Sequence, residues 1–269
     1  MKFTFLVWIG ESDMTRKGIA VLGAFIDALT WDEVMLQIVA WAAAQESRYV
    51  CICNVHSVVS TGRDPDLEAA VNVADMSTPD GAPIAWALRR LGFPFQERIN
   101  GPDLMWKYLG EAERLGQSVF FYGSTDPTLA RLRESALISF PRLVVAGTLS
   151  RPFRPLSVLE DEAEVRLMNA ARANVIFVAL GCPKQEKWMA THRGRINALM
   201  IGVGAAFDYH SGTIRRAPLW MQRKGLEWLY RLCTEPRRLF KRYFIGNSLF
   251  IIGMARQLIF RGSTRKIQE

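Results

Sequence analysis

The sequence has few of the residues that build metal and disulfide sites. Its 269 residues include four cysteines and three histidines, and no two cysteines form a CxxC pair. Zinc sites need Cys and His at short regular spacings, and disulfide frameworks are typical of small secreted chains. Cys51 and Cys53 alternate within an apolar segment, which predicts two reduced thiols on one face of a strand. The composition therefore excludes a zinc finger and a disulfide-stabilised scaffold.

Long uninterrupted apolar runs are also missing. No such stretch approaches the ~20 residues that cross a bilayer. The first ten residues hold a short apolar run followed by polar residues, so we expect a first strand or an N-terminal extension rather than a signal peptide. With 49% hydrophobic and 22% charged residues, the chain has the composition of a globular protein with a sizeable core.

The positive charge is concentrated at the C-terminal end. Residues 215–269 contain 13 Lys and Arg against 3 Asp and Glu, a net charge of +10, whereas residues 1–214 have a net charge of −2. Two apolar segments with basic flanks, 219–233 and 237–260, lie in this region and predict helices. The pattern favours an anionic partner such as a lipid surface or a diphosphate. Two ordinary helices packing back onto the core are the structural alternative.

The rest of the chain alternates between apolar segments and helical patterns. Buried strands are predicted at 50–59, 119–123, 143–147, 175–181 and 198–204. Helices are predicted at 66–76, 127–138, 160–173 and 184–193. This alternation predicts an α/β fold, a mostly parallel sheet with helices on both faces.

Helix starts and a domain boundary can also be placed. Thr30 with Glu33 predicts a capping box, and Asp64 and Asp126 are predicted to be N-cap residues, each followed by proline at the first helical position. The change of pattern near residue 213 divides the chain into a core, residues 1–213, and a basic amphipathic C-terminal appendage, residues 214–269.

Three loops are candidates for chemistry, because ligands of open parallel sheets bind beyond the carboxyl ends of the strands. They are Asn54 together with Asp80-Gly81, residues 123–126, and residues 181–186. In the last loop a glycine ends a strand and a proline opens a helix, where backbone N–H groups and Lys184 attract phosphate. Pro-Asp-Gly around Asp80 also fits an ordinary turn, and a strand-Gly-Pro-helix turn also occurs as pure structure.

No metal site is predicted. Asp64-Pro65-Asp66 is the one Asp-x-Asp match, and helix capping explains it better. Arginine and lysine would then have to stabilise a leaving diphosphate. The hydrolase motif GxSxG and the phosphate loop GxxxxGK[ST] are missing, and Gly202-Val203-Gly204 is only part of a dinucleotide fingerprint. We expect neither a metal ion nor a cofactor.

Together these segments resemble the WecG/TagA/CpsF glycosyltransferase family (glycosyltransferase family 26), from about Gly18 to about Tyr243. Each segment is weak alone, but their order and spacing are specific. The segments that carry the resemblance are Asn54, Asp80-Gly81, 98–103 (RINGPD), 181–186 (GCPKQE), 202–208, 215–218 (RRAP), 227–231 (EWLYR), 235–238 (EPRR) and Arg242-Tyr243.

The resemblance implies an inverting transferase with a Rossmann-like catalytic core and no required metal. Its appendage would contact the membrane and complete the active site. Asp80 would be the general base, and Gln185 would contact the donor. The candidates for gripping diphosphate are Arg231, Arg237, Arg238 and Arg242. The other candidates for substrate binding are Asn54, Arg98, Asp103, Lys184 and Asp208.

Members of this family attach N-acetylmannosamine, its uronic acid or glucose. Residues 54–59 (NVHSVV) look most like members that add glucose to a lipid-linked glucose in xanthan-type exopolysaccharide assembly. We therefore expect β-linked transfer from UDP-glucose. The alternative is transfer of N-acetylmannosamine or its uronic acid to polyprenyl-diphosphate-linked N-acetylglucosamine. Ile52 stands where many members have threonine, so a hydroxyl contact to the sugar is missing there.

The expected partners are a UDP-sugar donor, a polyprenyl-diphosphate-linked acceptor and an anionic membrane. The protein would be peripheral at the cytoplasmic face of the bacterial inner membrane. The sequence does not decide whether it forms a homo-oligomer. The competing class is a non-catalytic nucleic-acid-binding protein, because the basic region could contact phosphates. Apolar runs such as Phe244-Ile245 and 249–252 suit a bilayer interface better, so no nucleic acid is expected.

Overall fold

The computed structural model of the protein describes residues 16–152 and 154–265. The N-terminal strand or extension expected at the start of the chain, residues 1–15, lies outside this part. The strands are β1 (Gly18–Val21), β2 (Ala24–Asp27), β3 (Tyr49–Cys53), β4 (Met76–Pro79), β5 (Ser118–Gly123), β6 (Val144–Leu149), β7 (Val175–Ala179) and β8 (Leu199–Gly202).

Six of these strands form one parallel sheet in the order β4-β3-β8-β7-β5-β6, and β1 and β2 form a separate antiparallel hairpin. The helices are α1 (Trp31–Ala43), α2 (Val55–Thr61), α3 (Pro65–Asn72), α4 (Ala82–Arg90), α5 (Gly101–Leu115), α6 (Asp126–Ser139), α7 (Val158–Ala170), α8 (Lys184–His192), α9 (Ala206–His210), α10 (Leu219–Arg223), α11 (Glu227–Thr234) and α12 (Pro236–Arg265).

Apolar clusters cover both faces of the sheet. Side chains from α1, α5, α6 and α9 pack on one face, and side chains from α2, α3, α4, α8, α12 and the hairpin pack on the other. Cys51 and Cys53 point to the second face, whereas Val50 and Ile52 point to the first. The predicted α/β architecture and the shared face of the two thiols are confirmed.

Two of the three predicted helix starts are confirmed. Thr30 forms both bonds of a capping box with Glu33. Asp64 accepts a hydrogen bond from the Leu67 N–H at 3.2 Å. The prediction for Asp126 is wrong, because the cap is Thr125, whose extended backbone (φ −111°, ψ 155°) marks the last residue outside the helix.

Only the first part of the predicted strand 50–59 is a strand. The strand ends at Cys53, and α2 begins directly after it. The Asn54 side chain accepts hydrogen bonds from the N–H groups of His56 (3.0 Å) and Ser57 (3.2 Å). This cap starts a helix in a β-branched segment, since capping and packing outweigh intrinsic strand preference. It also places Asn54 at the carboxyl end of β3.

The C-terminal segment differs from the prediction in two ways. The predicted helix 219–233 is divided into α10 and α11, because Gly225 has a left-handed φ of +71°. The expectation that no segment could cross a bilayer is wrong: within the described chain, Leu239–Phe260 is long and apolar enough by length and composition, with a mean hydropathy of 1.3. Isolated polar residues interrupt the apolar run in this segment, but its mean hydropathy is still high enough for a membrane-spanning helix.

Helix α12 lies along the core. Phe250 and Met254 belong to the apolar cluster on one face of the sheet. Gln257 accepts from the Leu22 N–H (3.0 Å) and donates to the Ala20 carbonyl (2.7 Å). The opposite side of the helix exposes large apolar side chains, namely Phe240, Phe244, Ile245, Ile251, Ile252, Ile259 and Phe260. One side of the segment is therefore joined to the core and the other is open, and its treatment as a separate unit, residues 214–269, stays a prediction.

Candidate active site

A cavity of about 850 Å³ opens at the carboxyl end of the parallel sheet. Its walls include the residues that directly follow five strands. These are Asn54 after β3, Asp80 after β4, Ser124 after β5, Leu180 after β7 and Val203 after β8. The three loops that the sequence singles out are thus brought together. A cavity of this size can hold a ligand of several hundred daltons.

The C-terminal helices form the opposite wall of the cavity. Trp228 and Arg231 come from α11, and Arg242 and Tyr243 come from α12. The rings of Trp228 and Tyr243 meet edge to face, with their centroids 6.0 Å apart. Because the sheet loops and the C-terminal helices each supply one wall, neither part has the complete cavity alone.

Asp80 has the electrostatic setting of a base. Burial raises the pKa of its carboxyl, and the nearby charge of Glu227 adds to the rise, whereas Arg98 and the Asn54 side chain oppose it. Its backbone N–H donates to the Cys53 carbonyl at 2.9 Å, which holds the loop against β3. A carboxylate with a raised pKa is a stronger base than a solvated one.

A chain of ion pairs joins the core to α11. Glu227 pairs through one oxygen with Arg98 (2.7 Å) and through the other with Arg216 (3.2 Å). Arg216 also pairs with Asp103 at 2.5 Å, and Asn100 donates to the same carboxylate at 2.6 Å. Burial alone would raise the pKa of Asp103, but Arg216 and Asn100 hold it below its usual range. These bonds fix α11 over the cavity.

The two predicted contacts in this network differ in position. Arg98 lines the cavity while it pairs with Glu227, whereas Asp103 lies behind the wall. Their direct contact with substrate stays a prediction. Sequence reasoning did not select Arg216 and Glu227 as site residues. The available signal was that Glu227 is one of only three acidic residues among the last 55.

Gln185 is held in one orientation at the base of the cavity. Its Nε2 donates to Glu186 Oε1 at 3.0 Å, and both side chains are at most 4% exposed. A Cβ added at Gly202 would lie 2.7 Å from the end of the Met189 side chain and 3.1 Å from the Gln185 nitrogen, so a larger residue there would displace both side chains. The Oε1 atom of Gln185 is buried and has no hydrogen-bond partner in the described part of the chain. This oxygen is positioned to accept a hydrogen bond from a ligand.

The remaining candidates are split between the cavity and the surface. Asp208 and Arg231 line the cavity, and the Arg231 guanidinium lies 5.8 Å from the centre of the Tyr209 ring. Lys184 is exposed in the first turn of α8, outside the lining. Arg237 and Arg238 belong to the first turn of α12, and Arg237 is exposed. Contacts of Lys184, Arg237 and Arg238 with diphosphate stay predictions.

The Asp-x-Asp segment has a structural role. Asp64 caps α3 and pairs with Lys187 at 2.6 Å, and Asp66 lies 3.5 Å from the same ammonium group. Within residues 16–152 and 154–265, no three His, Cys, Asp or Glu side chains are grouped closely enough to hold a metal ion. Independence of metal stays a prediction.

Comparison with known proteins defines the class. The glycosyl transferase WecG/TagA/CpsF family matches residues 19–264. The chain is a glycosyltransferase and belongs to this family, which confirms the resemblance.

Curated relatives carry a more specific name, N-acetylglucosaminyldiphosphoundecaprenol N-acetyl-beta-D-mannosaminyltransferase. The protein of Bacillus spizizenii is 35% identical over 178 residues, which cover 65% of this chain and 67% of the relative. The protein of Staphylococcus aureus is 27% identical over 258 residues, which cover 93% of this chain and 98% of the relative. These names support the N-acetylmannosamine alternative better than the glucose expectation.

Proposed function

We propose that the protein transfers N-acetylmannosamine from UDP-N-acetylmannosamine to a polyprenyl-diphosphate-linked N-acetylglucosamine, with inversion at the anomeric carbon. The names of the relatives support this donor sugar and this acceptor. The observation that carries the proposal is that one cavity has Asp80 on one wall and Arg231 and Arg242 on the other.

The two walls match the charges of an inverting transfer. The acceptor hydroxyl oxygen bonds to the anomeric carbon as the bond from that carbon to the UDP oxygen breaks. Asp80 takes the proton from the hydroxyl, and its raised pKa makes it a better proton acceptor. Arg231 and Arg242 stabilise the negative charge that develops on the departing diphosphate.

Gln185 adds a requirement on the donor. Since Glu186 binds its amide nitrogen, the free carbonyl oxygen accepts a hydrogen bond from a ligand N–H or O–H. The acetamido N–H of N-acetylmannosamine, a sugar hydroxyl and the uracil N–H can all supply this donor. The side chain thereby contributes to the binding of a nucleotide sugar.

The C-terminal helix supports a location at a membrane surface. The exposed apolar side chains of α12 lie within the segment 215–269, which has a net charge of +10. Each basic residue near an anionic leaflet contributes ~1 kcal/mol to binding. We place the protein peripherally at the cytoplasmic face of the membrane, where nucleotide sugars are available. We expect the protein to sediment with anionic vesicles but not with neutral ones. Equal binding to both would contradict the electrostatic contribution to membrane binding.

Transfer assays with the full chain test the proposal. The acceptor is N-acetylglucosamine diphosphate on a lipid in detergent, offered separately with UDP-N-acetylmannosamine, its uronic acid and UDP-glucose. Mass spectrometry of the lipid product should show addition of one N-acetylhexosamine, and Asp80→Asn is the control with strongly lowered turnover. Efficient transfer of glucose alone would restore UDP-glucose as the donor, and failure with all three donors would reject the proposal.

A further inference from the structure

A groove of about 350 Å³ lies between α2 and α12, next to the catalytic cavity. His56 from α2 and Arg242 from α12 line both spaces, so the groove begins at the edge of the cavity. Along α12 the walls continue through Ile245 and Leu249, and along α2 through Val59. The groove thus leads away from the catalytic site between two packed helices.

The walls combine positive charge with an apolar strip. Arg63, Lys241 and Arg242 supply three cations, and none of the groove residues is acidic. Ile245 and Leu249 are one helical turn apart on the same side of α12, as the spacing of four residues requires. An anionic group with an attached hydrocarbon chain complements this lining.

The polar residue at the junction is uncharged near neutral pH. Burial, and after it the charge of Arg242, lowers the pKa of His56 to about 4. His56 therefore offers hydrogen bonds at the junction while Arg242 carries the charge. The apolar strip continues along α12 to Ile252, which is 52% exposed. A ligand in the groove would extend from the polar junction at His56 toward the exposed face of α12.

We propose that this groove binds the diphosphate and the first isoprenoid units of the lipid-linked acceptor, and that the rest of the lipid leaves along α12 toward the bilayer. The inference rests on the proposed function and deepens it by giving the acceptor lipid a path to the cavity. A volume near 350 Å³ is at the lower end of ligand sites, roughly 300–1,000 Å³. The groove therefore holds a short part of the lipid, and the chain length beyond it extends over the exposed strip.

Gly246 allows the groove to be filled without changing a charge. It lines the groove, and a Cβ added there meets no atom within 4 Å. Gly246→Leu introduces four carbons into this open space, and leucine is a better helix former than glycine, so folding should be preserved. Ser248→Leu is the matched control, since Ser248 is exposed on the same helix and lines neither space.

The experiment compares two acceptors with the same sugar and diphosphate, one on a long polyprenyl chain and one on a methyl group. Turnover is measured in neutral detergent, free of anionic phospholipid. We expect Gly246→Leu to lower the ratio of kcat/KM for the long acceptor to that for the short one about 10-fold, through KM. Ser248→Leu should keep the wild-type ratio. Lys241→Ala should raise KM for both acceptors, because both carry the diphosphate.

The outcomes separate this inference from the proposed function. An active wild type with an unchanged ratio in Gly246→Leu overturns the groove alone. An equal fall in Ser248→Leu also overturns it, because the cause would be the general apolarity of the helix. If the ratio falls only after anionic vesicles are added, the groove holds a phospholipid headgroup and the inference is wrong. A wild type that uses neither acceptor rejects the proposed function and the groove together.

Discussion

Replacing Asp80 by asparagine keeps the shape of the side chain and removes its charge and basicity. Loss of a general base lowers turnover by about 10²–10⁴-fold. At 1.36 kcal/mol per factor of ten, this corresponds to about 2.7–5.4 kcal/mol in the activation barrier. We expect the decrease in kcat rather than in donor binding, because the proton moves only in the transition state.

The same change should not destabilise the fold. A carboxyl whose pKa is raised in the folded state contributes stability below its unfolded pKa, and this contribution is lost as the pH rises through the folded pKa. Since burial raises the pKa of Asp80, its ionised form disfavours folding at pH 7. Asp80→Asn should therefore be at least as stable as the wild type at pH 7, and its advantage should shrink as the pH falls toward 4.

The test combines kinetics with unfolding. Turnover with saturating substrates and thermal unfolding at pH 7 and pH 5 are measured for Asp80→Asn and for Asp66→Asn, an exposed control outside the cavity. In the wild type, kcat/KM should decline on the acid side as Asp80 takes up a proton, and Asp66→Asn should keep this profile. Turnover close to wild type in Asp80→Asn refutes its role as base, and lower stability at pH 7 refutes the electrostatic argument.

Three further predictions concern docking, metal and the diphosphate. Glu227→Ala leaves Arg98 and Arg216 without their shared partner. Because the three side chains are only 15–19% exposed, the loss of stability should approach the ~3–5 kcal/mol of a broken buried pair and lower both melting temperature and turnover. Glu227→Gln should restore part of both, and an unchanged melting temperature in Glu227→Ala would contradict the docking role. Turnover should survive excess EDTA, and strict restoration by Mg²⁺ or Mn²⁺ would show that a metal site was missed. Arg231→Ala should lower turnover more than vesicle binding, and the opposite order would assign this residue to the membrane.

Much of the sheet and of the site could be predicted because their signals are local. The apolar segments that became β5, β6, β7 and β8 are short and bounded by turn residues or helix caps. Parallel strands end at one edge of a sheet, so Asn54, Asp80 and the 181–186 loop had to converge once the alternation was recognised. The strand β4 was missed because its four residues, Met-Ser-Thr-Pro, carry no alternating apolar pattern.

The sequence by itself determined the α/β class, the family, the loops that form the cavity and the basic C-terminal region. Only the tertiary structure decided that α11 closes the cavity through Arg98 and Glu227, which are 129 residues apart in the chain. It also decided that α12 packs Phe250 and Met254 into the core and leaves a groove beside α2. Helix periods and caps arise from interactions within a few residues, so they are written in the local sequence. Ion pairs and packing between distant segments depend on how the whole chain closes, and no local pattern encodes that geometry.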